Sequence, residues 1–316
     1  MTSLRIGTRK SPLALAQAEE VRASLLESSP DLQVELVPMQ TSGDNFTDRS
    51  LSEIGGKGLF TKEIEEALLA NRIDIAVHSI KDMQTMLPDG LVIGCVTARE
   101  DPRDRLVGEG LHSINDLPKG ASFGTSSLRR AAQLLMLRPD ITIVPLRGNV
   151  QTRLDKLKNG EMAATMLAVA GLNRLKLFDT PGVSLSTDDF LPAIGQGAIG
   201  IECRDNDTGT LELLSPLADI ATEAAILCER SFLQALDGSC HTPIAGYATV
   251  NGKELHLRGL IIKPDGSAHH RVDITGNSDD AESIGRAAGE ELLANAGKNF
   301  LNYDTKSIAN QHPPCC

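Results

Sequence analysis

At four points in its first half, this chain runs an apolar, strand-like segment straight into a short polar junction carrying a cation. Leu4 to Gly7 ends in Thr8-Arg9-Lys10-Ser11, and Ile73 to Val77 ends in His78-Ser79-Ile80-Lys81-Asp82. Phe123-Gly124 ends in Thr125-Ser126-Ser127-Leu128-Arg129-Arg130, and Ile141 to Leu146 ends in Arg147-Gly148-Asn149. Helical patterns follow the first, third and fourth junctions, with hydroxyl or amide residues at their starts and Pro12 in the first turn of the earliest. A nearly continuous apolar strand such as Ile73 to Val77 needs cover on both faces, which a parallel sheet between helices supplies. The pattern therefore predicts α/β layers, with the polar junctions gathered at the strand ends, where ligands of open α/β sheets bind.

The segments fall into three groups. Strand-like and helix-like runs (Leu4 to Gly7, Pro12 to Glu27, Val34 to Met39, Thr61 to Ala70, Ile73 to Val77) make a first α/β unit. Arg99-Glu100-Asp101-Pro102-Arg103-Asp104 reads as a charge-rich linker, after which the pattern repeats from Ala121 to Leu172. Glycine-rich Ala193 to Glu202 can carry the chain back into the first unit. A helix at Asp219 to Leu236, strands at Ile244 to Val250 and Glu254 to Ile262 joined at Asn251-Gly252, and a helix at Asp280 to Ala296 predict a small α+β third domain. The expected boundaries are 1–98 with 198–216, then 103–193, then 219–312. Two α/β lobes joined by crossovers have a type II periplasmic-binding-protein-like architecture, with the ligand in the cleft.

Composition narrows the partners. A net charge of −11 argues against general nucleic-acid or membrane-surface affinity, so any anion site is a local basic cluster. With no Trp and two Tyr, stacking of single-stranded bases is poorly supported. No apolar run approaches the ~18 residues of a membrane span, and the start enters a strand without a signal-like apolar stretch. The expectation is a cytoplasmic monomer with reduced thiols. Cys95, Cys203 and Cys228 lie in apolar contexts and read as packing, whereas Pro313-Pro314-Cys315-Cys316 reads as a frayed tail. Cys240 differs, because Leu236-Asp237-Gly238-Ser239-Cys240-His241-Thr242-Pro243 is a punctuated loop in which a thiol is exposed enough for covalent chemistry. No cysteine or histidine pattern has zinc spacing, and no metal is expected.

Chemistry concentrates at the junctions. Lys81 can hold an anion, while Asp82 can assist proton transfer or stabilise a developing cation. The alternative is a solvated loop with a local ion pair. Thr125 to Arg130 and Arg147 to Arg153 each combine a strand end, a helix start and arginines whose forks suit carboxylate or phosphate. Each alone could be a plain cap with surface charge; two in one lobe favour an oxyanion site. Arg174 is a further candidate. Gly55-Gly56-Lys57-Gly58-Leu59-Phe60 lacks P-loop spacing and reads as a loop over the cleft. A solute-binding protein or the sensing domain of a regulator would share this architecture. The first would need a secretion signal and the second a DNA-reading module, and neither accounts for Cys240.

Taken in order, Gly7 to Ala14, Gly55 to Phe60, His78 to Asp82, Gly124 to Arg130, Arg147 to Val150, Gly195-Gln196-Gly197-Ala198 and the Cys240 loop closely resemble the hydroxymethylbilane synthase (porphobilinogen deaminase) family, over roughly residues 4–300. The resemblance implies a transferase of tetrapyrrole biosynthesis. Such an enzyme condenses four porphobilinogen molecules head to tail with loss of ammonia, then hydrolyses off 1-hydroxymethylbilane. It implies a dipyrromethane cofactor joined by a thioether to Cys240. It makes Asp82 the catalytic carboxylate and gives Ser79, Lys81, Thr125, Ser127, Arg129 and Arg130 to the cofactor's carboxylates. Arg9, Ser11, Arg147, Arg153, Arg174 and Gln196 fall to substrate and growing chain, and Lys57 and Phe60 to a mobile loop. Two positions depart from the family's pattern. Gln84 stands where proline is usual two residues after Asp82, which bears on that carboxylate's pose. Ser239 and His241 flank the cysteine where a glycine-rich, neutral loop is commoner.

Overall fold

Three sheets organise the computed structural model, which describes residues 3–45, 60–238, 242–297 and 300–301. Cys240, Lys57 and Cys315-Cys316 lie outside the described residues. In the first sheet, β1 (Ser3–Arg9) runs parallel to β2 (Gln33–Met39) and β3 (Ile75–Ser79). β4 (Leu91–Val96) completes it, and β10 (Ile199–Arg204) lies antiparallel between β3 and β4, giving the order β2-β1-β3-β10-β4. In the second sheet, β5 (Asp104–Val107), β6 (Ser122–Gly124), β7 (Thr142–Val144), β8 (Ala164–Ala168) and β9 (Gly182–Ser184) take the order β7-β6-β8-β5-β9. There β5 is antiparallel to both neighbours. Each lobe's antiparallel strand is thus the one that has just crossed from the other lobe. This is the expected two-lobed, type II periplasmic-binding-protein-like α/β architecture.

Apolar spacing explains the helices that cover the sheets. α1 (Pro12–Ser28) starts where the Ser11 hydroxyl accepts the Ala14 N–H at 3.3 Å, and it buries Ala14, Gln17, Ala18, Val21 and Leu25, one helical face. A single turn, α2 (Ser42–Asn45), precedes α3 (Lys62–Leu69), which buries Ile64, Ala67 and Leu68 against the first sheet. α4 (Leu128–Leu137) and α5 (Val150–Lys158) each begin with side-chain caps, from Ser127 and Asn149. Short α6 (Val169–Arg174) and α7 (Thr208–Leu214) finish the lobes.

The third domain is an antiparallel sheet of β11 (Ile244–Asn251), β12 (Glu254–Ile262) and β13 (His269–Asn277), packed under α8 (Ile220–Ala235) and α9 (Ala281–Ala296). The hairpin expected at Asn251-Gly252 is present, with Gly252 at φ 60°. β13 was not anticipated, because its sequence is polar and only Val272 of it is buried. The two helices pack so closely that a Cβ on Gly285 would sit 2.1 Å from the Cys228 carbonyl oxygen. The three units meet at Glu229 of α8, which is fully buried. Its carboxylate accepts from Arg99 in the first crossover at 2.6 Å, from the Gly195 N–H in the second at 2.6 Å, and from the Ala248 N–H of β11 at 2.8 Å. The segment read as a charged linker is therefore a packed junction whose last residue opens β5. Arg99 and Asp104 of this segment are paired in the interior, while Arg103 pairs with Asp101 at the surface.

Candidate active site

Strand ends from both lobes bring the junctions together. β3 ends at Ser79 and passes into a 3-10 turn, Ile80–Asp82, which lifts Lys81 and Asp82 off the sheet. Ile80 is buried beneath this turn, so the two charged residues are carried on an apolar foot. Asp82 is exposed and lines a cavity of about 50 Å³ with Arg9, Ser11, Gln17, Phe60, His78 and Ser79. Arg9 stacks over the Phe60 ring at 4.3 Å, and the Ser79 hydroxyl accepts from the Gln17 amide at 2.8 Å. Gln17 had no sequence signal; it lies on the buried face of α1, where an apolar residue would be expected.

Lobe 2 supplies the facing charges. The Ser127 hydroxyl caps α4, and the Thr125 hydroxyl accepts the Ser127 N–H at 3.1 Å, so these groups order the strand-to-helix turn. Arg129 and Arg130 are both buried, and both are held by Asp104, which reasoning from sequence had left in the linker. Arg129 Nη1 donates to one Asp104 oxygen at 2.7 Å and to the Leu191 carbonyl at 2.8 Å. Arg130 donates to the other oxygen through Nη2 at 2.7 Å and Nε at 3.1 Å. The Gln196 amide adds a bond to the same carboxylate at 3.1 Å and another to the Pro102 carbonyl at 2.7 Å. Burial raises the cost of charging Asp104, but the two guanidiniums outweigh it and hold the carboxyl far below its ordinary range. Burial in turn lowers Arg129.

Lys81 stands close enough to this group to feel Arg130, Asp104 and Arg129 as well as Asp82. Desolvation dominates and pushes its ammonium down to about 8; Asp82 pulls it back up and Arg130 pushes it further down. Arg153, on α5, donates Nε to the Gly148 carbonyl at 2.9 Å. Desolvation, followed by Arg130, lowers it to about 10, while Asp82 of the opposite lobe opposes that shift. Among the described residues, no carboxylate pairs with Arg147, which adds to the positive field at Arg153. The cleft thus gathers Lys81, Arg129, Arg130, Arg147 and Arg153 around Asp82 and Asp104, with Arg9 lining the cavity beside Asp82. Such a surplus favours a ligand bearing several anionic groups.

Arg174 is placed elsewhere. Its guanidinium donates to Glu20 of α1 at 2.9 Å and to the Gly197 carbonyl at 3.2 Å, beside an open groove between α1 and α6. It links the lobes instead of joining the cluster around Asp82. Cys95 and Cys203, buried in the first sheet, and Cys228, buried in α8, are pushed up by burial to about 12, 11 and 12. Those thiols stay protonated and inert. Among the described residues no group of His, Cys, Asp and Glu could hold a metal ion, and no helix is long and apolar enough to cross a membrane.

Comparison with known proteins gives the site a family. The dipyrromethane-cofactor-binding domain model of porphobilinogen deaminase matches residues 4–212, and the family's C-terminal domain model matches residues 224–294. A porphobilinogen deaminase of Nitrobacter winogradskyi is 52% identical over 299 residues, covering 94% of both chains. Among solved structures, the alkanesulfonate-binding protein SsuA from Xanthomonas axonopodis pv. citri is 17% identical over 75% of each chain, with a TM-score of 0.38. The BenM effector-binding domain is 18% identical over 68% of this chain and 90% of that one, at 0.42. Such scores carry no argument, and the architecture rests on the sheet orders above. Two matched domain models and a curated relative of that identity and coverage agree: the chain belongs to the porphobilinogen deaminase family.

Proposed function

We infer that the cleft performs the family's reaction, condensing porphobilinogen head to tail with loss of ammonia to give the linear tetrapyrrole 1-hydroxymethylbilane. The observation that carries this reading is an exposed Asp82 carboxylate set among a surplus of cations drawn from both lobes. Porphobilinogen and its oligomers carry acetate and propionate groups on every ring, so they need several fixed positive donors and one negative group at the reacting carbon. Lys81, with a desolvated ammonium, and Arg129, whose buried Nε has no hydrogen-bond partner among the described residues, are suited to a covalently held dipyrromethane. The same holds for the hydroxyl-lined turn at Thr125 and Ser127. Attachment falls to Cys240. When bound, the dipyrromethane supplies the nucleophilic pyrrole carbon to which the chain is added.

The protein's residues then do the following. Arg147 and Arg153 grip the carboxylates of the incoming ring and growing chain, and Arg9 and Ser11 orient the ring from the lobe 1 side. To Asp82 we assign the substrate's methylene carbon, on which amine departure leaves positive charge. The Asp82 carboxylate stabilises that charge and accepts the proton that the ring loses after coupling. Lys81 beside it neutralises an acidic side group of the bound chain.

Intact-protein mass measurement of wild type, Cys240→Ser and Asp82→Asn tests the reading. Wild type and Asp82→Asn should carry one dipyrrole adduct, and Cys240→Ser should carry none. Asp82→Asn should bind porphobilinogen while turnover falls by about 10²–10⁴, the range of a lost general acid–base group. An unmodified wild-type mass, or ordinary turnover without Asp82, overturns it.

A further inference from the structure

The segment that follows Asp82 is held from an unexpected direction. Helix α8 belongs to the third domain and ends at Ala235, shortly before the Cys240 loop. Three of its residues, spaced four apart on one face, meet residues 80–86. Ile226 packs with Ile80 and Met83 in one buried apolar cluster. Arg230 Nη2 donates to the Gln84 carbonyl at 2.7 Å and to the Thr85 carbonyl at 3.0 Å. Gln234 reaches the Met86 sulfur at 3.1 Å. The Asp82 turn therefore rests on the helix that leads to the attachment loop.

A buried carboxylate lies at the upstream end. Desolvation lowers Arg230, and the carboxylate that opposes this is Glu202 of β10, which is fully buried. Glu202 lies 3.1 Å from Nε2 of His78, which sits on β3 just before the turn. The buried charge that faces Arg230 thus also faces the strand delivering Lys81 and Asp82. The guanidinium thus touches the downstream side of the turn directly and feels the carboxylate beside its upstream strand.

We propose that Arg230 is a positioning residue: by bridging the Gln84 and Thr85 carbonyls it locks the Asp82 turn to the helix that leads to Cys240, so carboxylate and primer keep one register. Backbone carbonyls accept whatever the side chain, so the clamp tolerates glutamine where the family commonly has proline. The guanidinium supplies from outside the rigidity that a proline ring supplies from within. Met83, at φ −82° and ψ 150°, has the extended backbone that a following proline requires.

This inference rests on the roles given above to Asp82 and Cys240. Its test uses the full chain as Arg230→Met, Arg230→Lys, and Arg230→Met combined with Gln84→Pro, each checked for its dipyrrole adduct by intact mass. In loaded Arg230→Met, kcat for porphobilinogen should fall at least about tenfold, the worth of a charged hydrogen bond, with KM within about twofold. Arg230→Lys should recover part of that loss, because an ammonium keeps the charge opposite Glu202 but lacks the planar fork. Adding Gln84→Pro should restore much of kcat without restoring the melting temperature. Unchanged kcat in folded, loaded Arg230→Met overturns the proposal, as does a loss confined to KM or one that Gln84→Pro leaves untouched. If the methionine variant does not fold, Arg230→Lys alone decides through the same split between kcat and KM. Ordinary turnover in Asp82→Asn would instead remove the underlying reading, and it is measured in a different protein.

Discussion

The two strand ends facing each other across the cleft both present cations to an anionic ligand, but they hold them differently. In lobe 2, Arg129 and Arg130 are fixed by Asp104, each through a bond of 2.7 Å, at side chains almost sealed from solvent. In lobe 1, Lys81 has exposed Asp82 as its nearest compensating charge and is depressed to about 8. The first arrangement is a scaffold, with one carboxylate shared by two guanidiniums and its geometry set before any ligand arrives. The second responds to whatever anion comes near, because an ammonium already short of solvation gains most from a carboxylate. Rigid and responsive halves thus share one site, and removing either should leave a different signature.

The largest effect is expected where the scaffold loses its centre. Asp104→Asn leaves two buried guanidiniums without a counter-charge and should destabilise the protein by about 3–5 kcal/mol in urea unfolding. Because Asp104 ionises more readily folded than unfolded, its contribution is complete above the unfolded pKa of about 4 and fades as pH falls further. The variant should therefore lose much of the acid limb of the stability profile. An unchanged midpoint would mean that the two arginines are satisfied without Asp104. Next comes Arg153→Leu, which keeps the scaffold but removes a cation facing Asp82. Elongation should slow about 10–100-fold, the equivalent of one charged hydrogen bond, and native gels should show a partly extended enzyme. Steady turnover without such species would place Arg153 outside the chain's path.

Much of this was legible in the sequence because junction residues at strand ends have few other uses. The apolar run Ile73 to Val77 reads as a strand, and β3 lies two residues further on, at Ile75–Ser79, while the sequence alone leaves Lys81-Asp82 open between a cleft and a solvated loop. Asp104 was not legible, since a carboxylate within Arg99 to Asp104 looks like any solvated charge run; only the tertiary crossover buries it beside residues 129 and 130. Arg174 was equally unmarked, because an arginine after a short helix carries no sign of which partner it finds. β13 escaped notice because an edge strand with one buried residue has neither an apolar run nor a clean alternation. Arg230 looked like one charge in an ordinary helix, and its meaning depends on carbonyls 145 and 146 positions away in the chain.

A subtler break tests the responsive half. Lys81 in the folded, ligand-free protein gives up its proton near pH 8, whereas the unfolded chain keeps it to about 10.5. Between those values the unfolded chain binds more protons, so this group adds stability as pH rises through the window, while its hold on an anion declines. Loading of the apoprotein with porphobilinogen should therefore weaken above about pH 8, by at most about tenfold per pH unit for a single proton. Lys81→Met should load poorly at every pH and lose that inflexion. A Lys81→Met variant that kept the inflexion would show that the Lys81 ammonium is not its source.

The smallest expected effect concerns the contact that joins the lobes outside the cleft. Arg174 is almost buried, but its partner Glu20 is 45% exposed, and a half-solvated pair contributes little. Glu20→Gln should cost less than about 1 kcal/mol and leave porphobilinogen turnover near wild type, because the Gly197 carbonyl still holds the guanidinium. Arg174→Leu removes both contacts, so its effect should be larger than that of Glu20→Gln and should weaken with added salt only in its Glu20 part. If the two variants instead slow elongation equally, with stability intact, the lobes must move apart during chain growth, and the pair would matter for that motion more than for either half of the site.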